Sequence, residues 1–210
     1  MHSNKSDPFE IVREFERALC AYTGAKYAVT TTSCTSALML ALAWHKENMP
    51  GRTAPGGIEI PRHTYVGVPA SILNAGFDVD FRDEWWDGEY QLKPLNVWDA
   101  ARRFTSGMYW PGTMQCVSFH TSKILGLAAH GGAILHDYEV ADEWLRRARF
   151  DGRGEGIDPR KDKIQYPSWH CYMTPATAAE GLMRLAILPE NNPNLPCSEY
   201  PDCSKIKAFQ

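Results

Sequence analysis

Short apolar segments alternate with longer segments of helical periodicity through most of this 210-residue chain, and this alternation constrains its fold more than any other feature. The apolar segments predict strands at Lys26–Thr31, Ile58–Ile60, Phe77–Phe81, Leu95–Trp98, Gln115–Phe119 and Gly132–Leu135. The periodic segments predict helices from Pro8 to Gly24, from Ser33 to His45, from Thr64 to Gly76, over Tyr138–Phe150 and over 175–187. The pattern is typical of an α/β fold, in which a three-layer, mainly parallel sheet is flanked by helices.

The end of the chain differs from the rest in composition. Residues 189–210 are rich in Pro and Asn and show no periodicity. We therefore expect one domain over residues 1–188, followed by an irregular tail that lies on the surface or on a partner.

Composition argues against several classes of protein. With 25 acidic and 22 basic residues, the chain has no excess charge that would attract nucleic acid. Its longest apolar run, Ala37–Trp44, is too short to span a bilayer, and residues 1–10 do not resemble a signal peptide. The six cysteines are scattered without a CxxC pair, which predicts a cytoplasmic protein with neither a metal site nor a disulfide framework.

A small polar turn joins the first predicted strand to the second helix. This turn, Thr31–Leu38, contains Ser33, Cys34 and Thr35. Hydroxyls and free amides at a helix N-terminus make a phosphate site, although ordinary Ser/Thr capping of a core helix explains the same pattern.

Two further candidates follow predicted strands. Asp99 lies at the carboxyl end of a buried strand, where open α/β sheets bind ligands, but it is equally typical of a helix N-cap. Tyr65 follows Ile58–Ile60 and is a candidate for stacking on a planar cofactor, although a core or surface tyrosine is the commoner outcome.

A lysine ends the polar stretch that follows the strand Gln115–Phe119. The run Ser118-Phe-His-Thr-Ser-Lys123 would place the Lys123 amine in a polar pocket, which makes it a candidate for a Schiff base with a carbonyl group, although most lysines are solvated surface groups. Together the four pieces describe a pocket for pyridoxal 5'-phosphate. The phosphate would lie on the turn, the ring on Tyr65, the ring nitrogen at Asp99 and the aldehyde carbon on Lys123.

These segments resemble the DegT/DnrJ/StrS family of sugar aminotransferases, pyridoxal-phosphate enzymes of fold type I. Ser33-Cys-Thr-Ser-Ala-Leu38 is similar to the family's phosphate turn, with Cys34 in place of glycine. Asp99-Ala-Ala is similar to its pyridine-binding motif, and Ser118-Phe-His-Thr-Ser-Lys123 to its Ser-Phe-x-x-x-Lys. The resemblance extends from about residue 8 to residue 188.

The resemblance also implies roles for individual residues. Ser118 would bind the phosphate together with the turn, and His120 would line the pocket. Arg102 stands where members usually carry Gln or His beside the cofactor. Tyr172 and His170 stand where members carry residues that reach into the partner's site, so the resemblance implies a homodimer with active sites at the subunit interface.

The chain is shorter than most members of this family. The segment between Phe81 and Leu95 is too short for the usual strand–helix unit, so we expect a deletion there. We also expect the C-terminal small domain to be absent after residue 188, which leaves the cofactor-binding large domain.

The resemblance implies transfer of an amino group from an amino acid, glutamate or glutamine, to a keto-sugar nucleotide, with Lys123 and Asp99 as the catalytic residues. Arg102, Arg103, Arg149 and Arg153 are candidates for the nucleotide phosphates, or else form a solvated basic face. Two alternatives stay open at this point: a degenerate fold with a binding or regulatory role and little turnover, and a dehydratase or lyase that uses the same cofactor.

Overall fold

The structure is a computed structural model that describes residues 7–48, 57–166, 168–197 and 200–210. Within these residues the strands are β1 (Tyr27–Thr31), β2 (Ile58–Pro61), β3 (Val79–Arg82), β4 (Tyr90–Leu92), β5 (Val97–Asp99), β6 (Met114–Ser118) and β7 (Gly132–His136). The α-helices are α1 (Glu10–Thr23), α2 (Cys34–Asn48), α3 (Gly67–Asn74), α4 (Glu139–Ala148) and α5 (Pro175–Leu185). None of the helices in the described ranges is long and apolar enough to cross a membrane.

Local signals explain several helix ends. Helix α1 ends at Gly24, whose positive φ of 83° is a conformation that glycine adopts without steric cost. Helix α5 begins at Thr174, whose side chain accepts a hydrogen bond from the Thr177 amide, and Pro175 follows it in the first turn. The predicted end of α1 at Gly24 and the predicted start of α5 at residue 175 are confirmed.

The strands form one sheet of five and one of two. The five-stranded sheet has the order β1-β7-β6-β5-β4, in which only β5 and β6 are parallel neighbours. Strands β2 and β3 are joined through α3 and pair in parallel. Two backbone hydrogen bonds between Glu59 and Lys93 connect β2 to the end of β4.

The α/β class is confirmed, but the sheet is mixed and not mainly parallel. A parallel pair needs a crossover, usually a helix, whereas antiparallel neighbours need only a short connection. The loop of residues 119–131 between β6 and β7 contains no helix, and four residues join β4 to β5. Strand β4 itself was not predicted, and it occupies the segment where we expected only a deletion.

The sheet lies between two helical layers, as predicted. Val117, Ala133 and Leu135 face a core cluster that includes α1 and α5. Cys116 and Ile134 face the opposite cluster, which includes α2, α3 and α4. This alternation follows from the two-residue period of a strand.

The described residues of the C-terminal segment, 189–197 and 200–210, pack against the rest of the chain at several points. The Leu195 amide donates to the carbonyl of Arg102, and the Cys203 amide donates to the carbonyl of Arg62. Cys197 and Cys203 are buried, and the segment ends in two short 3-10 helices. The segment therefore passes the carboxyl ends of β5 and β2, where the sequence placed the candidate site.

Candidate active site

A cavity of about 610 Å³ lies where the carboxyl ends of three strands meet. Strands β1 and β6 are both antiparallel to β7, and β5 is parallel to β6, so β1, β5 and β6 run in the same direction. Nine of the predicted site residues line this cavity: Ser33, Cys34, Thr35, Tyr65, Asp99, Arg102, Ser118, His120 and Lys123. The shared strand direction brings together the residues at the ends of β1, β5 and β6, whereas Tyr65 follows β2 of the other sheet.

The polar turn after β1 caps α2 and also lines the cavity. The Ser33 hydroxyl accepts a hydrogen bond from the Ser36 amide at 3.1 Å. A Cβ atom added at Gly132 would lie 2.5 Å from the Cys34 amide nitrogen, so only glycine lets β7 approach this turn so closely. The capping interpretation is therefore confirmed, and the anion site stays a prediction for the same turn.

Asp99 is buried at the end of β5. One carboxylate oxygen accepts from the Ala101 amide and the other from the Tyr90 hydroxyl, both at 2.9 Å. Burial raises the pKa of Asp99, while these two donors and the nearby Lys123 charge act in the opposite direction. A turn, and not a helix, follows Asp99, so its carboxylate does not serve as a helix N-cap.

The sequence interpretation missed Tyr90. Tyr90 lies directly opposite Asp99 in the β4–β5 ladder, and its hydroxyl is also 2.6 Å from the Thr64 hydroxyl oxygen. The alternation of apolar Tyr90 and Leu92 indicates this strand, but the composition of Trp85–Tyr90 is typical of a turn.

Lys123 lies in the loop after β6, and its Nζ donates a hydrogen bond to the Tyr200 hydroxyl at 3.0 Å. The His120 ring stacks on His130 with ring centroids 4.7 Å apart, and both rings line the cavity. The Arg102 guanidinium donates to the Leu195 carbonyl oxygen, so it contacts the C-terminal segment.

Three aromatic residues that line the cavity contact one another. Tyr65 is 54% exposed, and its ring centroid is 6.4 Å from that of Tyr200. Trp86 stacks on Tyr200 at 6.0 Å. Trp86 and Tyr200 were not predicted, and both belong to the segments where the chain departs from the family pattern.

Five of the residues named from the sequence do not line the cavity: Arg103, Arg149, Arg153, His170 and Tyr172. Tyr172 packs edge-on against Phe9 and Phe150, outside the cavity of its own chain, and its role in a partner's site stays a prediction. Arg149, a candidate for substrate phosphates, is only 1% exposed and forms ion pairs with Glu16 and Glu155. That assignment is wrong, because a guanidinium that is buried and held in two ion pairs cannot reach a ligand.

The arrangement fits pyridoxal phosphate. A helix N-terminus and the hydroxyls of Ser33, Thr35 and Ser118 suit a phosphate. The buried Asp99 carboxylate has no cationic hydrogen-bond partner among the described residues, so a protonated ring nitrogen would complete it. The Lys123 amine reaches the same cavity, and its chemistry suits an aldehyde.

Comparison with solved structures identifies the fold. The chain is similar to the sugar aminotransferase CalS13 from Micromonospora echinospora, with a TM-score of 0.72, 19% identity and coverage of 85% of this chain and 61% of that chain. PseC from Helicobacter pylori, an aminotransferase involved in the biosynthesis of pseudoaminic acid, matches with a TM-score of 0.67, 19% identity and coverage of 86% and 58%. NtdA from Bacillus subtilis with bound cofactor PMP matches with a TM-score of 0.66, 18% identity and coverage of 85% and 48%.

The fold is that of the large domain of fold type I pyridoxal-phosphate aminotransferases. A sequence model of the DegT/DnrJ/EryC1/StrS aminotransferase family matches residues 1–110, and the chain belongs to this family. Its members use pyridoxal phosphate, so the predicted family, fold type and cofactor are confirmed. The comparison with curated proteins found no match. The chain spans about three fifths of the length of the first structures it resembles.

Proposed function

We propose that the protein is a pyridoxal-phosphate aminotransferase that moves an amino group from glutamate or glutamine to a keto-sugar nucleotide. One observation carries this proposal: the polar turn Thr31–Leu38, called the Ser33 turn below, lines one cavity together with Asp99, Ser118 and Lys123. The acceptor class rests on family membership and on the similarity to the sugar aminotransferase CalS13.

Each of these residues has a separate task. The Ser33 turn and Ser118 bind the phosphate, and Asp99 holds a proton on the ring nitrogen. The Lys123 amine takes the proton from the α-carbon of the amino-acid donor. Pyridoxal phosphate, when bound, supplies the electron sink that stabilises the negative charge left on that carbon.

The proposal includes assembly and location. We propose a homodimer in the cytoplasm, in which Tyr172 of one subunit approaches the cavity of the other. The support is the family's usual arrangement and the position of Tyr172 outside the cavity of its own chain. Sedimentation analysis of the purified protein tests the oligomeric state, and a monomer at micromolar concentration would contradict it.

Covalent attachment of the cofactor tests the assignment of Lys123. The protein is incubated with pyridoxal phosphate and reduced with borohydride, and the modified residue is located by mass spectrometry. We expect modification at Lys123 and its loss in Lys123→Ala. The matched control is Lys26→Ala, because the Lys26 side chain is 58% exposed and lies outside the cavity. Undiminished visible absorption of the bound cofactor in Lys123→Ala would refute the assignment.

Addition of amino donors then separates transfer from binding. With glutamate or glutamine, we expect the visible absorption to shift to that of the pyridoxamine form. The segment between β3 and β4, which contains no helix where the family has a strand–helix unit, favours a second candidate, a protein that binds the cofactor without turnover. Attachment at Lys123 without a shift for any amino donor would support that candidate.

A further inference from the structure

The hydroxyl of Tyr200 contacts the candidate Schiff-base lysine. Lys123 Nζ donates to it at 3.0 Å, and Arg102 Nη1 donates to the same oxygen at 3.2 Å. Tyr200 is the only residue to which the Lys123 amine donates a hydrogen bond in the part of the chain that the structure describes. A residue of the C-terminal segment therefore contributes directly to the surroundings of the reacting amine.

Backbone contacts hold this segment in place on both sides of Tyr200. Before it, the Leu195 amide donates to the Arg102 carbonyl. After it, the Cys203 amide donates to the Arg62 carbonyl, and the buried Cys203 thiol lies 3.2 Å from the Thr64 carbonyl oxygen. These contacts fix the position of the Tyr200 backbone relative to β2 and β5.

The Tyr200 ring is also held. It stacks on Trp86 with an interplanar angle of 11°, and the Trp86 indole nitrogen donates to the His63 carbonyl at 2.9 Å. Two packed rings leave the Tyr200 side chain little rotational freedom, so its hydroxyl is a pre-organised hydrogen-bond partner.

We propose that Tyr200 is a positioning residue of the active site, which holds the Lys123 amine where it meets the aldehyde of pyridoxal phosphate. This inference rests on the proposed function and adds a residue from the C-terminal segment to it. When the cofactor attaches, the Lys123 nitrogen forms a double bond to the aldehyde carbon, and the aldehyde oxygen leaves as water with two protons from the amine.

The substitution Tyr200→Phe tests the role of the hydroxyl alone, because phenylalanine retains the ring that packs on Trp86. We expect the rate of covalent attachment at Lys123, measured by stopped-flow absorbance, to fall about tenfold, the effect of one lost hydrogen bond. The affinity for pyridoxamine phosphate should stay unchanged, because that form has no aldehyde and does not bond to lysine.

The matched control is Tyr109→Phe, which also removes one tyrosine hydrogen bond, 3.1 Å to the Thr113 carbonyl, but lies outside the cavity. Attachment in the control should proceed at the rate of the unaltered protein. Attachment in Tyr200→Phe that is equally fast, or faster, would refute the inference. Equal losses in attachment and in pyridoxamine phosphate affinity would also refute it, since they would show that Tyr200 only shapes the cavity. If Lys123 of the unaltered protein is not modified at all, both this inference and the proposed function fail.

Discussion

A buried ion network beside strand β1 provides the sharpest prediction about stability. Glu16 of α1 is 3% exposed and forms ion pairs with Arg149 at 2.5 Å and with Arg146 at 2.6 Å. Its carboxylate also accepts hydrogen bonds from the amide and hydroxyl of Thr30 on β1. The network therefore ties α1 and α4 to the strand that leads into the Ser33 turn.

Replacement of Glu16 with Gln removes the negative charge and keeps the shape. Removal of one partner of a buried ion pair lowers the free energy of unfolding by about 3–5 kcal/mol, because the other charge stays buried without compensation. The lower end applies here, because Arg149 keeps its second ion pair with Glu155 at 2.6 Å. We therefore expect a loss of about 3 kcal/mol in the free energy of unfolding, or roughly 10 °C in melting temperature.

Urea denaturation followed by circular dichroism measures this loss. The matched control is Glu14→Gln on the same helix, where the carboxylate is half-exposed and lies 4.0 Å from Arg17. This control should change the free energy of unfolding by less than about 0.5 kcal/mol. If Glu16→Gln cost no more than the control, the interpretation of the network as stabilising would be refuted.

The pH dependence provides an independent check. Burial alone would raise the pKa of Glu16, but Arg149 and Arg146 together lower it below its ordinary value of 4.5. A carboxylate with a lowered pKa in the folded state stabilises the protein fully above pH 4.5, and this contribution disappears as the pH falls through the folded-state pKa. The difference in stability between the unaltered protein and Glu16→Gln should therefore shrink on acidification, and a constant difference would contradict this account.

Two further predictions concern the cavity. Tyr90→Phe removes a donor that keeps the pKa of Asp99 from rising further, so we expect the pH range of pyridoxamine phosphate binding to shift upward, measured by fluorescence titration. An unchanged pH range would show that the Tyr90 hydroxyl does not act on Asp99. Gly132→Ala places a Cβ atom 2.5 Å from the backbone of Ser33 and Cys34, which should cost about 1–3 kcal/mol of stability and abolish tight cofactor binding. Thermal melting and the same titration measure both effects, and unaltered cofactor affinity would contradict the close approach of β7 to the turn.

The sequence was sufficient for those parts of the fold and site that depend on local pattern. Helix α5 and its Thr174 cap follow from a capping residue and a first-turn proline. The polar turn, Asp99 and the Ser118–Lys123 loop each follow a strand that apolar residues mark plainly. The predicted site residues that line the cavity lie in or beside such segments.

Long-range packing determined the features that were missed. Tyr90 contacts Asp99 because β4 pairs with β5, and nothing local in Trp85–Tyr90 predicts that pairing. The sequence around Arg149 does not distinguish it from an exposed arginine. Its burial and its ion pair with Glu16 of α1 are visible only in the folded structure. The pattern of residue types along the chain indicates neither whether a charged side chain is buried nor which residue pairs with it.

By itself, the sequence determined the family and the cofactor and predicted the role of Lys123, because these depend on residue types at characteristic spacings along the chain. Only the tertiary structure decided the direction of the strands and what encloses the lysine. The direction of each strand depends on which connections lack a crossover helix. The surroundings of the Lys123 amine depend on Tyr200, which lies 77 residues from Lys123 in the chain. A segment with no periodic pattern still packs in one place when buried cysteines and backbone hydrogen bonds hold it there, and these contacts exist only in the folded protein.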